Sequence, residues 1–186
     1  MKKWLILVLA LLSTGCGSTK DPGMELRQQL LKGSCAFEAE ITADYGDTLS
    51  QFTLSCQGDD RGNVTFSVQA PESIRGITGS IAAGKGALTF DKTALSFPLL
   101  ADGQLSPVSG PWLLLRVLRG GNLLSQGTEG ELTRLTLRDG YREEDLLADV
   151  WLTEEGQPTR AEFLHRGRKI LSITCTSFRT EPKEET

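Results

Sequence analysis

Cys35-Ala36-Phe37-Glu38-Ala39-Glu40-Ile41-Thr42-Ala43-Asp44 is the stretch that decides the fold class. Cys35, Phe37, Ala39, Ile41 and Ala43 alternate with Glu38, Glu40, Thr42 and Asp44, and successive side chains of a strand point to opposite faces. One face is apolar and the other solvated, which is the pattern of an antiparallel sheet. Phe52, Leu54 and Cys56 repeat it against Gln51, Thr53, Ser55 and Gln57, and Val64, Phe66, Val68 and Ala70 continue it. Turns punctuate the strands at Tyr45-Gly46, Gly58-Asp59-Asp60, Ala83-Gly84-Lys85-Gly86 and Asp91-Lys92-Thr93.

The turns predict a register. With Tyr45-Gly46 as a two-residue loop, Phe37 meets Leu54, Ala39 meets Phe52 and Cys35 meets Cys56, all on the apolar face. Cys35 and Cys56 then form a non-hydrogen-bonded pair, where Cα atoms approach to about 4.5 Å, at the short end of the disulfide range. Of the three pairings open to Cys35, Cys56 and Cys175, this register selects a Cys35–Cys56 bridge and leaves Cys175 free. A loop at Gly84-Lys85 sets Ile81 opposite Leu88. One at Lys92-Thr93 sets Phe90 opposite Leu95 and Leu88 opposite Phe97.

Two segments break the period of two. Asp21-Pro22 reads as an N-cap with proline at the first helical position. Met24, Leu26, Leu30 and Leu31 follow, and Gly33 reads as the stop; a helix over 22–32 is predicted. Pro111-Trp112-Leu113-Leu114-Leu115-Arg116-Val117-Leu118 is bounded by Pro111 and by Gly120-Gly121. Its apolar residues cover most of the circumference, so this helix is expected to be buried on more than one side. Strands are predicted beyond it at 131–138, 146–153, 159–165 and 169–178. The predicted architecture is α+β: an opening helix and a highly curved antiparallel sheet whose concave face wraps round the second helix. Phe66, Val68, Leu88, Phe90 and Phe97 would line that face, with Leu114, Leu115 and Leu118 opposite them; these are the candidate ligand-binding residues, and the same pattern equally suits a packed core. If that face takes a ligand, the second helix is held lightly, so Leu118→Ala should cost no more than the low end of the usual range of about 2–5 kcal/mol.

The N-terminus carries the other informative segment. Lys2 and Lys3 precede an apolar run, Trp4 to Leu12, too short to span a bilayer as a mature helix. Ser13-Thr14-Gly15-Cys16 then resembles a bacterial lipoprotein signal, although Ser13 stands where that pattern prefers leucine. The resemblance implies cleavage before Cys16 and acylation of Cys16. Residues 1–15 are thus the expected signal peptide, 16–21 a lipidated tether, 22–179 the domain and 180–186 a charged tail. Loss of Lys2 and Lys3 takes the formal net charge from −4 to −6. An acidic chain without a basic, aromatic-interleaved stripe argues against nucleic-acid partners and against electrostatic docking on anionic lipid.

Catalytic patterns are missing. His165 is the sole histidine and has no companions at metal-ligand spacing. Glu143-Glu144-Asp145 reads as a solvated turn, since adjacent carboxylates point in different directions, and there is no nucleophile elbow. Arg134, Arg138 and Arg142 are expected on the outer side of a strand and its turn. The chain reads as non-enzymatic, with no cofactor.

In order along the chain, the opening helix, Cys35–Asp44, Val68-Gln69-Ala70-Pro71-Glu72-Ser73-Ile74-Arg75-Gly76, Pro111–Leu115 and Ala148–Phe163 resemble the LolA/LolB lipoprotein-carrier family. That resemblance implies an incomplete antiparallel β-barrel, or half-barrel, with an opening helix and a buried helix closing its concave face over an apolar cavity for acyl chains, and a membrane tie through the N-terminal lipid. Length and anchor also resemble the clostridial germination lipoproteins of the GerS type, which implies instead an adaptor for an envelope or spore-cortex enzyme. One fold serves both roles.

Overall fold

The computed structural model describes residues 21–90, 93–97, 100–101 and 104–182. The expected signal peptide, Cys16 and most of the tether lie outside these residues.

The chain opens with α1 (Pro22–Lys32), capped by Asp21, whose carboxylate accepts the backbone N–H groups of Gly23 and Met24 at 3.0 and 3.3 Å. Leu26 and Leu30 face the core. Gly33 ends the helix in an extended conformation rather than a left-handed one. Its need for glycine is steric, because a Cβ there would lie 2.2 Å from the Glu181 carbonyl oxygen.

Six strands follow: β1 (Gly33–Asp44), β2 (Leu49–Gly58), β3 (Val64–Ala70), β4 (Thr78–Ala82), β5 (Lys85–Phe90) and β6 (Thr93–Phe97). A short ribbon of β7 (Leu100–Ala101) and β8 (Gln104–Leu105) precedes α2 (Gly110–Gly120). The chain then runs through β9 (Asn122–Glu129), β10 (Leu132–Arg138), β11 (Leu147–Leu152), β12 (Pro158–His165) and β13 (Arg168–Pro182). Eleven strands form one antiparallel sheet in the order β6-β5-β4-β3-β2-β1-β13-β12-β11-β10-β9. The sheet is open, with β6 and β9 at its edges, and α2 lies against its apolar face. The half-barrel expectation holds, α1 has the predicted limits, and α2 extends one residue further at each end, to Gly110 and Gly120.

The register does not hold as predicted. Cys35 pairs with Gly58, Phe37 with Cys56 and Ala39 with Leu54. The turn is displaced by one residue: Tyr45 donates its N–H to the Thr48 carbonyl at 3.0 Å, and Gly46 lies at φ +91°. A one-residue displacement in the opposite direction occurs at the β4–β5 and β5–β6 turns. Ile81 pairs with Gly86, and Gly79 with Leu88; Leu88 pairs with Leu95, and Phe90 with Thr93. Ala83 and Gly84 both adopt positive φ, 48° and 74°, as a two-residue hairpin turn of mirror-image type requires. Moving a turn by one residue slides the pairing by two, so every side chain keeps its face while its partner changes.

Two boundaries also differ. β9 lies where no strand is predicted: it is an exposed edge strand in which Leu123 and Leu124 are consecutive, so it shows no alternation. Thr180, Glu181 and Pro182 belong to β13, paired with Cys35, Ser34 and Gly33, rather than to a charged tail. Residues 183–186 lie outside the described residues.

Candidate ligand-binding site

The concave face is built by alternate residues of neighbouring strands. Phe37, Ala39 and Ile41 of β1, Leu54 of β2, Val64, Phe66 and Val68 of β3, and Ile81 of β4 are all buried. Val150, Phe163, Leu171 and Ile173 continue the face on the other side of β1. Phe66 lies over Gly79, where an added Cβ would come within 2.4 Å of its ring.

α2 occupies this face lengthwise. Only Arg116, Arg119 and Gly120 of the helix escape full burial; Leu114 and Leu115 are 0% and 1% exposed, and Leu118 is 3% exposed. At its start, a Cβ on Gly110 would touch Ile41, Leu171 and Ile173, so glycine lets the helix settle onto β1 and β13. Leu115 reaches the end of β2, where a Cβ on Gly58 would lie 2.4 Å from Leu115 Cδ1 and 2.8 Å from Cys35 Sγ. Gly58→Ala is therefore expected to lift the helix from the sheet and destabilise the protein by about 1–3 kcal/mol, the usual cost of overpacking. Urea unfolding with an unchanged m-value checks this.

Arginines hold both sides of α2. Arg27 of α1 donates from Nε to the Leu118 carbonyl at 2.9 Å and from Nη2 to the Gly121 carbonyl at 2.7 Å. These oxygens belong to the end of the helix, where carbonyls lack intrahelical partners. Arg119 donates to the Leu30 carbonyl and, at 2.7 Å, to the Asp60 carbonyl, tying α2 to α1 and to the β2–β3 turn. Arg116 forms a 2.7 Å ion pair with Asp139 and lies over Trp112, 5.0 Å from its ring centroid.

Of the candidate lining residues, the structure brings together Phe66, Val68, Leu114, Leu115 and Leu118 in one core, with Leu88 half-buried against it. The side chains of Phe90 and Phe97 lie outside the described residues. Here the face is occupied by the protein's own helix.

Cys35, Cys56 and Cys175 are buried free thiols in this structure. Cys35 stands opposite Gly58 rather than Cys56, so the register argument for a bridge falls with the register. Burial pushes the Cys35 thiol up to about 11, against the lowering effect of the Gly58 N–H and Arg119. Burial first, and then Cys35, push Cys175 up to about 12; Cys56 is raised as well, by burial and by both other thiols. The thiolate is the reactive form, so all three are expected to resist iodoacetamide at pH 8 until the chain is unfolded. Mass mapping before and after denaturant checks this, and native alkylation of any of them would contradict the packing.

The convex face carries a polar network that the sequence reading did not assemble. Trp151 lies between Arg134 and Arg160, at 5.3 and 4.5 Å from its ring centroid, and donates its indole N–H to Glu129 at 3.0 Å. Asp149 accepts from Arg134 and from Thr136, both at 2.6 Å. Burial opposes ionisation of Glu162, yet Arg160 and Lys169 outweigh it and hold that carboxyl below its usual range. Arg134 thus decorates the outer side of its strand, as expected. His165 ends β12 opposite Arg168 and is exposed. Glu143 and Glu144 are exposed in the β10–β11 turn. Among the described residues no three His, Cys, Asp or Glu side chains are placed to hold a metal ion.

No family model and no curated protein matches the sequence. Solved structures do. The chain is similar to a LolA-superfamily protein from Nitrosomonas europaea. Identity is 10%, over 88% of this chain and 96% of that one, with a TM-score of 0.46. An uncharacterized conserved protein from Thermus thermophilus matches at 10% identity, over 87% and 86% of the two chains, with a TM-score of 0.49. A putative outer membrane lipoprotein-sorting protein domain from Vibrio parahaemolyticus matches at 13% identity, over 88% and 94%, with a TM-score of 0.44.

Proposed function

We propose that this protein is a non-enzymatic lipoprotein, exported and held at a membrane by acyl chains on Cys16, that takes an apolar ligand such as the acyl chain of a lipid or lipoprotein into its half-barrel. The outer membrane is the expected site if the source has two membranes. The observation that carries the reading is α2 itself. The open sheet presents a continuous apolar concave face, and a single apolar helix covers it. Polar contacts between side chains and backbone carbonyls hold that helix at its C-terminal end. An acyl chain offers the same face the same kind of surface that α2 does, so exchange of one for the other keeps the face out of water. The GerS-type adaptor role has no observation of its own in its favour.

A locked helix tests this. Leu115→Cys places a thiol near Cys35, since Leu115 and Cys35 both close on Gly58. The parent protein is expected to take up a fluorescent fatty acid, and the oxidised variant to lose that uptake and regain it with reductant. Absence of uptake by the parent, together with native mass spectra of host-purified protein free of bound lipid, would overturn the reading.

A further inference from the structure

Six large hydrophobic side chains are exposed among the described residues, and four of them, Met24, Leu31, Leu123 and Leu124, belong to α1 and the start of β9. Met24 and Leu31 are seven residues apart, two helical turns, and so share one side of α1, away from the buried pair Leu26 and Leu30. Met24 and Leu123 line a common shallow groove with Leu118, Leu135 and Leu137, and Asp21 and Arg27 also border it. Leu137 pairs with Leu123 and Thr136 with Ser125, so a bulge leaves Leu124 without a partner on β10. An edge strand with consecutive exposed leucines is a liability unless something covers it.

We infer that a lipid bilayer covers it: the α1–β9 face lies on the surface of the membrane that holds Cys16. This rests on the anchored-lipoprotein reading above. Asp21, at the rim of the groove, follows Cys16 by only the four residues 17–20, which reach about 14 Å when fully extended. The groove therefore cannot stand far from the acylated residue. The charge of the mature chain also matters. At a net −6 the domain gains nothing from anionic headgroups, so contact with lipid must come from apolar side chains entering the interface. Met24 and Leu123 share a groove with Asp21, and Leu31 and Leu124 extend the exposed apolar surface along α1 and β9.

The test uses the mature lipidated protein, purified from host membranes and reconstituted into phosphatidylcholine vesicles carrying a fraction of nitroxide-labelled phosphatidylcholine. An environment-sensitive fluorophore is attached to Met24→Cys, Leu123→Cys or Leu124→Cys. Leu49→Cys serves as the control, an exposed leucine on β2, six strands from β9 in the sheet. The native thiols, being buried, do not compete for label in the folded protein. Lipid quenching severalfold stronger at 24, 123 and 124 than at 49 supports the docking. Equal quenching at all positions in vesicle-bound protein overturns it while the anchor stands. A blue shift that ignores the nitroxide and grows with protein density assigns the face to a second copy of the chain and overturns it too. Protein that fails to float with the vesicles overturns anchor and docking together.

Discussion

Leu114→Ala is expected to destabilise the protein by about 2–5 kcal/mol, a large share of the roughly 5–15 kcal/mol that holds a domain folded. Leu114 is fully buried at the middle of α2, and that helix is hemmed in from several sides. Gly110 sits on β1 and β13, Leu115 on the end of β2, and Trp112 comes within 4.0 Å of a Cβ on Gly84 in the β4–β5 turn. Deleting the isobutyl group leaves a cavity that these anchored neighbours cannot collapse to fill, and the cost rises with the volume left. For a chain of this size the melting temperature should drop by about 2–4 °C per kcal/mol. Leu118 is enclosed too, and its carbonyl is held by Arg27, so the light seating expected from sequence gives way to a firmer one. A loss below about 1 kcal/mol at Leu114 would mean that space for a ligand already exists beside the helix.

Cys16→Ser is expected to move the protein from the membrane fraction almost wholly to the soluble one. Stable attachment by lipid needs more than one chain, because a single acyl chain binds only marginally, and in the proposed anchor Cys16 carries all of them. Among the described residues no helix is long and apolar enough to cross a membrane, and the exposed leucines of α1 and β9 are too few to replace the chains. Fractionation of host cells and immunoblotting of both fractions check this. Equal retention of the variant in the membrane fraction would remove the anchor.

Legibility in the sequence followed the range over which each physical signal acts. α1 and α2 were readable because their limits are local: Asp21-Pro22 caps and starts one, and Pro111 and Gly120-Gly121 bound the other. The facing of Phe37, Ala39, Ile41, Leu54 and Phe66 was readable because alternation fixes which side of a sheet a residue takes. Pairing was not, since alternation is equally satisfied after a slip of two residues, and the choice fell to turn geometry at Gly46 and Ala83-Gly84. β9 escaped because both of its faces are exposed, so nothing requires apolar and polar side chains to alternate along it. The Arg134–Trp151–Arg160 stack escaped because only the register of β10, β11 and β12 brings those residues together. Gly33 was placed correctly for a reason that the approach of Glu181 replaces.

The pairing of β1 with β13 has a consequence for the timing of assembly. These strands stand side by side in the interior of the sheet, with β2 beyond one and β12 beyond the other, yet Cys35 meets Thr180 from near the opposite end of the sequence. Contacts of such long separation carry the loop-closure cost that slows folding. The two halves of the sheet cannot join until the last strand has been synthesised. If the chain is exported as proposed above, a seam that only β13 closes delays folding on the wrong side of the membrane.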